Sequence, residues 1–181
     1  MDLTEKTIKS QQVFDGKVID LWVETVKLPD GNESVREIIH HPGGVCVFAI
    51  DEHNNVYMVR QFRKPTEQIL LEIPAGKLEY GEDPLNAGRR ELAEETGVVP
   101  DEMISLGYFY PTPAYCCEKI HMYFARGLHH CKQHLDEDEF LEVLKIPYDK
   151  LYKMVMNNEI IDGKTAYATL KVRQYIYPSE K

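Results

Sequence analysis

The stretch Gly76-Lys77-Leu78-Glu79-Tyr80-Gly81-Glu82-Asp83-Pro84-Leu85-Asn86-Ala87-Gly88-Arg89-Arg90-Glu91-Leu92-Ala93-Glu94-Glu95-Thr96-Gly97-Val98 decides how this chain is read. Helix boundaries are written into its second half. Asp83 is a natural N-cap, and Pro84 suits the first helical turn, where its missing N–H does no harm. Gly97 supplies the C-terminal stop. Leu85, Leu92 and Ala93 are expected to face a core. Glu91, Glu94 and Glu95 are spaced by three and four, so all three project from nearly one helix face. Like charges at this spacing repel by about a few tenths of a kcal/mol per pair. A helix gains no stability from that arrangement unless a cation sits there. Hard divalent cations take oxygen ligands, and magnesium prefers a few carboxylates plus phosphate oxygens and water. Arg90 is expected to point away from Glu91 and to pair with Glu82, holding the glycine-containing loop against the helix. Taken alone, three such glutamates also suit a solvated helix face.

Outward from this helix the chain alternates strands and helices. Apolar runs at 45–50, 56–61 and 69–73 precede it as strands, and further strands are expected at 104–110, 121–125 and 141–146. Pro147 and Tyr148 open a helix with Leu151, Met154 and Val155 on one side. A last helix is expected over 164–177, with Ala168, Val172 and Ile176 spaced by four. Residues 7–41 differ from the rest. Their partial alternation, with turn signals at Asp15-Gly16 and Pro29-Asp30-Gly31-Asn32, predicts a small antiparallel meander. It carries few large apolar residues, so it is expected to need a partner surface. The expected division is an N-terminal β segment over 1–41 and a main domain over 42–181.

Composition narrows the function classes. A chain of 181 residues with 43% hydrophobic and 28% charged residues is that of a soluble globular protein with a sizeable core. A net charge of −9 argues against sequence-independent binding to nucleic acid, which needs a basic surface. It leaves room for a small anionic substrate, because bound metal inverts the local sign. Cys46, Cys116, Cys117 and Cys131 lack the paired spacing of a zinc site and read as reduced thiols in a cytoplasmic protein. The polar start, residues 1–10, has no signal-peptide core, and no apolar run approaches the roughly 20 residues that span a bilayer. The adjacent pairs His40-His41 and His129-His130 are expected in loops rather than as metal ligands.

Glycine, five residues, glutamate, seven residues, then Arg-Glu-apolar-x-Glu-Glu-x-Gly-apolar is similar to the Nudix box of the Nudix hydrolase family at each specified position. The resemblance implies an α/β (α+β) Nudix fold: an α/β/α sandwich around a mixed sheet, here with an added N-terminal antiparallel segment. It implies that Glu91 and Glu95 are the main ligands of Mg2+, with Mn2+ as a substitute metal. Glu94 would assist directly or through water, and the Ala75 carbonyl would complete the shell. Gly76, Glu82, Arg90 and Gly97 would be structural parts of the motif.

Beyond the box the chain resembles the ADP-ribose pyrophosphatase branch of that family, over most of its length. Leu71-Glu72-Ile73-Pro74-Ala75-Gly76-Lys77 looks like that branch's approach to the box, and Pro113, sixteen residues after Gly97, is near its usual proline. Arg36-Glu37-Ile38-Ile39 and the later Pro42-Gly43-Gly44 resemble its dimer-forming N-terminal segment. The resemblance implies a homodimer in which Arg36 and Glu37 lie near the base of the partner's substrate. Trp22 either packs or stacks on adenine. Arg63 matches an arginine on the substrate phosphates, or else forms only a salt bridge. Glu137, in an acidic loop, matches the catalytic base best, with Glu139 the alternate; Glu118 would line the pocket. The start of the last helix, 161–168, looks structural. The implied reaction is Mg2+-dependent hydrolysis of ADP-ribose to AMP and ribose 5-phosphate. The alternatives are another nucleoside diphosphate sugar such as GDP-mannose, or a non-catalytic ADP-ribose-binding regulator. No nucleic-acid or membrane partner is expected.

Overall fold

In a computed structural model, which describes residues 2–178, the central helix α1 runs Pro84–Thr96. The Asp83 carboxylate accepts from the Asn86 N–H at 3.1 Å, and Gly97 closes the helix at φ 67 with its N–H on the Ala93 carbonyl at 3.0 Å. Its buried face is Ala87, Gly88, Leu92, Glu95 and Thr96. Leu85 and Ala93, expected to face the core, are half-buried, and Leu85 packs against the cluster of Val45, Ala87 and Tyr123. A Cβ on Gly88 would stand 3.0 Å from Met103 Cε and 3.2 Å from Val45 Cγ2, so close approach to the sheet has taken the place of a side chain there.

The described residues fall into two compact units. The larger, 44–109 with 120 onward, carries β4 (Gly44–Ala49), β5 (Asn55–Arg63), β6 (Gln68–Glu72), β7 (Ala75–Lys77), β8 (Val98–Phe109), β9 (Ile120–His130) and β10 (Leu141–Pro147), with α2 (Tyr148–Met156), α3 (Gly163–Lys171) and α4 (Arg173–Ile176). One sheet has the order β7-β4-β9-β8, mixed because β4 and β9 run parallel; the other, β10-β5-β6, is antiparallel. All of β4 is buried, and its alternation explains the layers. Val45, Val47 and Ala49 pack with Ala87 and Leu92 of α1, while Cys46 and Phe48 pack with Tyr148, Leu151, Ala168 and Val172 of α2, α3 and the turn after it. A strand covered on both faces reads as a continuous apolar run, as 45–50 does. The expected α/β/α sandwich around a mixed sheet is the observed architecture.

Three elements differ from expectation. β8 begins at Val98, not at 104, because Pro100-Asp101-Glu102 reads as a breaker; β8 is an edge strand, where proline costs no ladder hydrogen bond. β9 extends to His130, so His129 and His130 lie in a strand, and His40 ends β3, rather than in loops. The last helix is split at Val172, although Ala168 and Val172 are buried on one stripe.

The smaller unit holds residues up to 43 together with 110–119. Its strands β1 (Lys6–Asp15), β2 (Asp20–Lys27) and β3 (Glu33–His40) form an antiparallel meander. The 110–119 segment joins it through Ile39 N–H to the Tyr115 carbonyl at 2.7 Å and Cys117 N–H to the Ile39 carbonyl at 3.0 Å. Val26 is the one large apolar side chain buried in this unit among the described residues, and every residue of β1 is exposed. No helix among the described residues is long and apolar enough to cross a membrane.

Candidate active site

The glutamate face of α1 meets strand β7. Glu95 is 1% exposed, and its Oε2 accepts the Ala75 N–H at 3.0 Å. Burial, reinforced by the neighbouring Glu139 and Glu91 carboxylates, pushes the Glu95 carboxyl up to about 9. Burial also raises Glu91, against the pull of Arg90. Gly76 passes so close that a Cβ there would lie 1.9 Å from Glu91 Cδ. That atom is the end of a flexible side chain, so the fold would tolerate Gly76→Ala while Glu91 would have to leave its place. We expect Gly76→Ala to lower activity by about 100-fold, the scale of a misplaced catalytic group, with a melting temperature close to wild type. A large fall in melting temperature would show that Gly76 serves the fold instead.

Arg90 grips Glu82 with Nε and Nη2, both at 3.0 Å, and Glu82 accepts the Glu79 N–H at 3.0 Å, which closes the loop before the helix. The expectation that Arg90 points away from Glu91 is corrected. Its Nη1 also reaches Glu91 Oε1 and Glu94 Oε2, each at 2.9 Å, because a long guanidinium can bridge one turn and its neighbour. Among the described residues no three acidic, histidine or cysteine side chains stand close enough to enclose an ion as they are placed. Arg90 is the cation now bridging Glu91 and Glu94. The cluster nonetheless suits a hard divalent cation: its donors are carboxylate oxygens, burial raises Glu91, Glu95 and Glu139, and the Glu139 charge raises Glu91 and Glu95 further.

Of the two acidic-loop candidates, Glu139 is the one at this cluster. It is half-buried, its Oε1 accepts from Gln61 Nε2 at 3.4 Å, and burial and then Asp136 raise its carboxyl. It also borders an open groove lined by Phe62, Ile69, Leu135 and Phe140. Glu137, the better match in sequence, is exposed. Arg63 lies at the end of β5 and feels the charge of Glu95. Its Nε and Nη2 are bound side-on by Glu72 at 2.7 and 2.8 Å, which leaves the Nη1 edge of the fork for another acceptor.

The remaining sequence candidates lie in the smaller unit. Arg36 forks onto Glu5 at 2.9 and 2.5 Å, and Glu37 is exposed. Trp22 stacks on His40 at 5.6 Å between centroids, and its Nε1 is buried without a hydrogen-bond partner. Pro113 sits in a turn closed by the Cys116 N–H on the Thr112 carbonyl at 3.1 Å, and Glu118 Oε1 stands 3.7 Å from His41 Nδ1. Sequence reasoning missed Gln61, Glu72 and Lys164 as neighbours of the site. One signal was available: Glu72 is a charge set between Leu71 and Ile73 in a buried strand.

Helix-borne carboxylates packed against a mixed sheet, with an arginine fork beside them, form a site whose groups suit a hard cation and phosphate oxygens. The family profile described as the NUDIX domain matches residues 40–165, and the chain belongs to that family. It is 48% identical to an ADP-ribose pyrophosphatase of Bacillus subtilis over 92% of this chain and 91% of the relative. It is 46% identical to a methanol dehydrogenase activator of Bacillus methanolicus, over 91% and 90%. A GDP-mannose pyrophosphatase of Yersinia enterocolitica is 33% identical over 74% of each chain. The crystal structure of an ADP compounds hydrolase superposes with a TM-score of 0.85 over 97% of this chain and 96% of that one; at 19% identity the likeness is one of fold.

Proposed function

We propose that this protein hydrolyses the diphosphate of ADP-ribose to AMP and ribose 5-phosphate, with Mg2+, or Mn2+ in its place, held by Glu91 and Glu95 and assisted by Glu94 and the Ala75 carbonyl. The observation that carries this reading is the buried Glu95 beside Glu91 and Glu139, a cluster with more carboxylate than cation. The Bacillus relative's name supports the choice of substrate.

Bound metal would supply charge for the phosphate oxygens and lower the pKa of a water. The chain's own residues do the rest. Arg63 offers its free edge to the diphosphate, and a guanidinium fork is the right shape for phosphate oxygens. Glu139 accepts the proton of the attacking water, because a carboxyl raised by burial is a better base than a solvated one. Glu91 and Glu94, now bridged by Arg90, would hold the divalent ion, with Arg90 kept on Glu82. The exposed meander, with its thin core, forms a homodimer in which Trp22, Arg36 and Glu37 approach the adenine of the partner's substrate, and Pro113 and Glu118 shape the pocket mouth. We infer a cytoplasmic location, a reading that the free cysteines support.

The test is product identity. Purified protein with Mg2+ is offered ADP-ribose, GDP-mannose and other nucleoside diphosphate sugars. AMP from ADP-ribose as the fastest reaction supports the reading; a faster rate on GDP-mannose overturns the substrate assignment. The base is tested separately. Glu139→Gln should lower kcat by about 100-fold or more and remove the acid limb of its pH profile, on the scale of a lost general base. Glu137→Gln should stay within about threefold of wild type. The reverse order would move the base to Glu137.

A further inference from the structure

Behind Arg63 lies a layer of side chains that none of the steps above uses. Glu72 on β6 is 1% exposed, and both bonds that orient the Arg63 guanidinium end on it. Arg63 stands at the end of the β5–β6 ladder, where its pairing with Gln68 is the last. Lys164, with a side chain 12% exposed, ion-pairs with Glu72 Oε2 and reaches Asp162 Oδ1 at 3.1 Å. Asp162 is the N-cap of α3, and its Oδ2 accepts from Thr165 N at 3.0 Å and Thr165 Oγ1 at 2.5 Å. Thr165 Oγ1 in turn accepts the Ile73 N–H at 2.9 Å. The first turn of α3 therefore grips two neighbouring residues, Glu72 and Ile73. Two positions further on, the Ala75 N–H holds Glu95.

Charge gives this layer its meaning. Glu72 and Asp162 are two carboxylates, and Arg63 and Lys164 are two cations. With Lys164 in place the carboxylates are matched, and Arg63 is oriented by Glu72 without being wholly neutralised by the group. With Lys164 removed, an excess of negative charge would sit directly behind the guanidinium meant to receive a diphosphate.

We propose that Lys164 is a positioning residue for the diphosphate: from the first turn of α3 it satisfies Glu72 and Asp162, and so keeps the Arg63 fork aimed and its charge available to phosphate. This rests on the reading of Arg63 as a phosphate contact. The start of the last helix, structural by its sequence, thereby takes a part in substrate binding.

The experiment uses the full chain as Lys164→Gln, Lys164→Arg, Arg63→Ala and the Lys164→Gln/Arg63→Ala double variant. Three quantities are read: KM and kcat with Mg2+, the calorimetric Kd for ADP-ribose in EDTA, and the melting temperature. Lys164→Gln is expected to raise KM and Kd by about tenfold, the worth of one charge-assisted contact, with kcat changed by less than about threefold. Lys164→Arg should restore both constants to within about threefold. In the Arg63→Ala background, Lys164→Gln should add less than about twofold, as expected of residues acting through one group. A lowered melting temperature with unchanged KM and Kd would make Lys164 a structural ion pair only and overturn the proposal. Full multiplication of the two effects in the double variant would also overturn it. Unchanged KM and Kd in Arg63→Ala would instead sink the phosphate reading of Arg63, a failure distinct from silence of Lys164→Gln alone. If Lys164→Gln does not fold, Lys164→Arg decides: constants near wild type support the proposal, and a tenfold rise with the cation retained overturns it.

Discussion

Replacing Glu95 by glutamine is expected to abolish most turnover and, at the same time, to stabilise the metal-free protein at alkaline pH. The first effect follows from its place. Glu95 is buried at the centre of the carboxylate cluster, and glutamine keeps its shape and its acceptor for the Ala75 N–H but loses the negative charge. If Glu95 is a metal ligand as proposed, loss of its charge should cost about 1,000-fold or more in kcat/KM, or about 4 kcal/mol of transition-state stabilisation. The second effect has the opposite sign. In the metal-free fold the carboxyl is raised to about 9, whereas its unfolded value is the ordinary 4.5. Between those values the folded state binds the extra proton, so stability falls as pH rises through that window. Wild type without metal should therefore melt at progressively lower temperature from pH 5 to pH 9, and Glu95→Gln should show a flatter profile. Mg2+ should raise the wild-type melting temperature most at the alkaline end, where the carboxylate is easiest to recruit, and Glu95→Gln much less. Thermal melts with and without EDTA at several pH values read all of this. A variant as active as wild type, or one less stable than wild type at pH 9 in EDTA, would contradict the assignment of Glu95.

The largest loss of stability is expected from Glu72→Gln. Burial alone would raise this carboxyl, but Arg63 and Lys164 outweigh burial and hold it below its ordinary value. Removing one member of a buried ion network leaves the others uncompensated, at a cost of about 3–5 kcal/mol. For a chain of this size that is a fall of roughly 6–20 °C in melting temperature. Because the folded pKa is depressed, the Glu72 contribution is present above the unfolded value near 4.5 and is lost as pH falls through the lower folded value. The gap between wild type and Glu72→Gln should therefore be full at pH 7 and shrink below pH 4. A gap under about 1 kcal/mol at pH 7 by urea denaturation would mean that Arg63 and Lys164 find water or Asp162 at little cost.

The particular residues show how far sequence reaches. Helix α1 was legible to the residue at both ends because its signals are local: a side-chain oxygen at Asp83, a ring at Pro84, a left-handed glycine at Gly97. The fully apolar run of β4 announced a strand covered on both faces. The start of β8 was illegible, since proline and two acids are tolerated there only because the strand is at an edge, and edge position is a property of the assembled sheet. The two acidic-loop glutamates could not be ranked from sequence either. Both lie in one charged run, and what separates Glu139 from Glu137 is burial beside Glu95, set by where the loop lands on β5.

By itself, then, the sequence determined the family, the layered fold and the three glutamates that share one face of α1, because spacing along a helix converts directly into direction in space. Only the tertiary structure decided what surrounds that face. It brought Glu139 rather than Glu137 to the cluster, turned Arg90 onto Glu91 and Glu94, and set Glu72 and Lys164 behind Arg63. Those pairings join residues as far as 92 positions apart. No local pattern encodes a contact of that range; it arises when α3 docks on the sheet and the buried charges there must find each other.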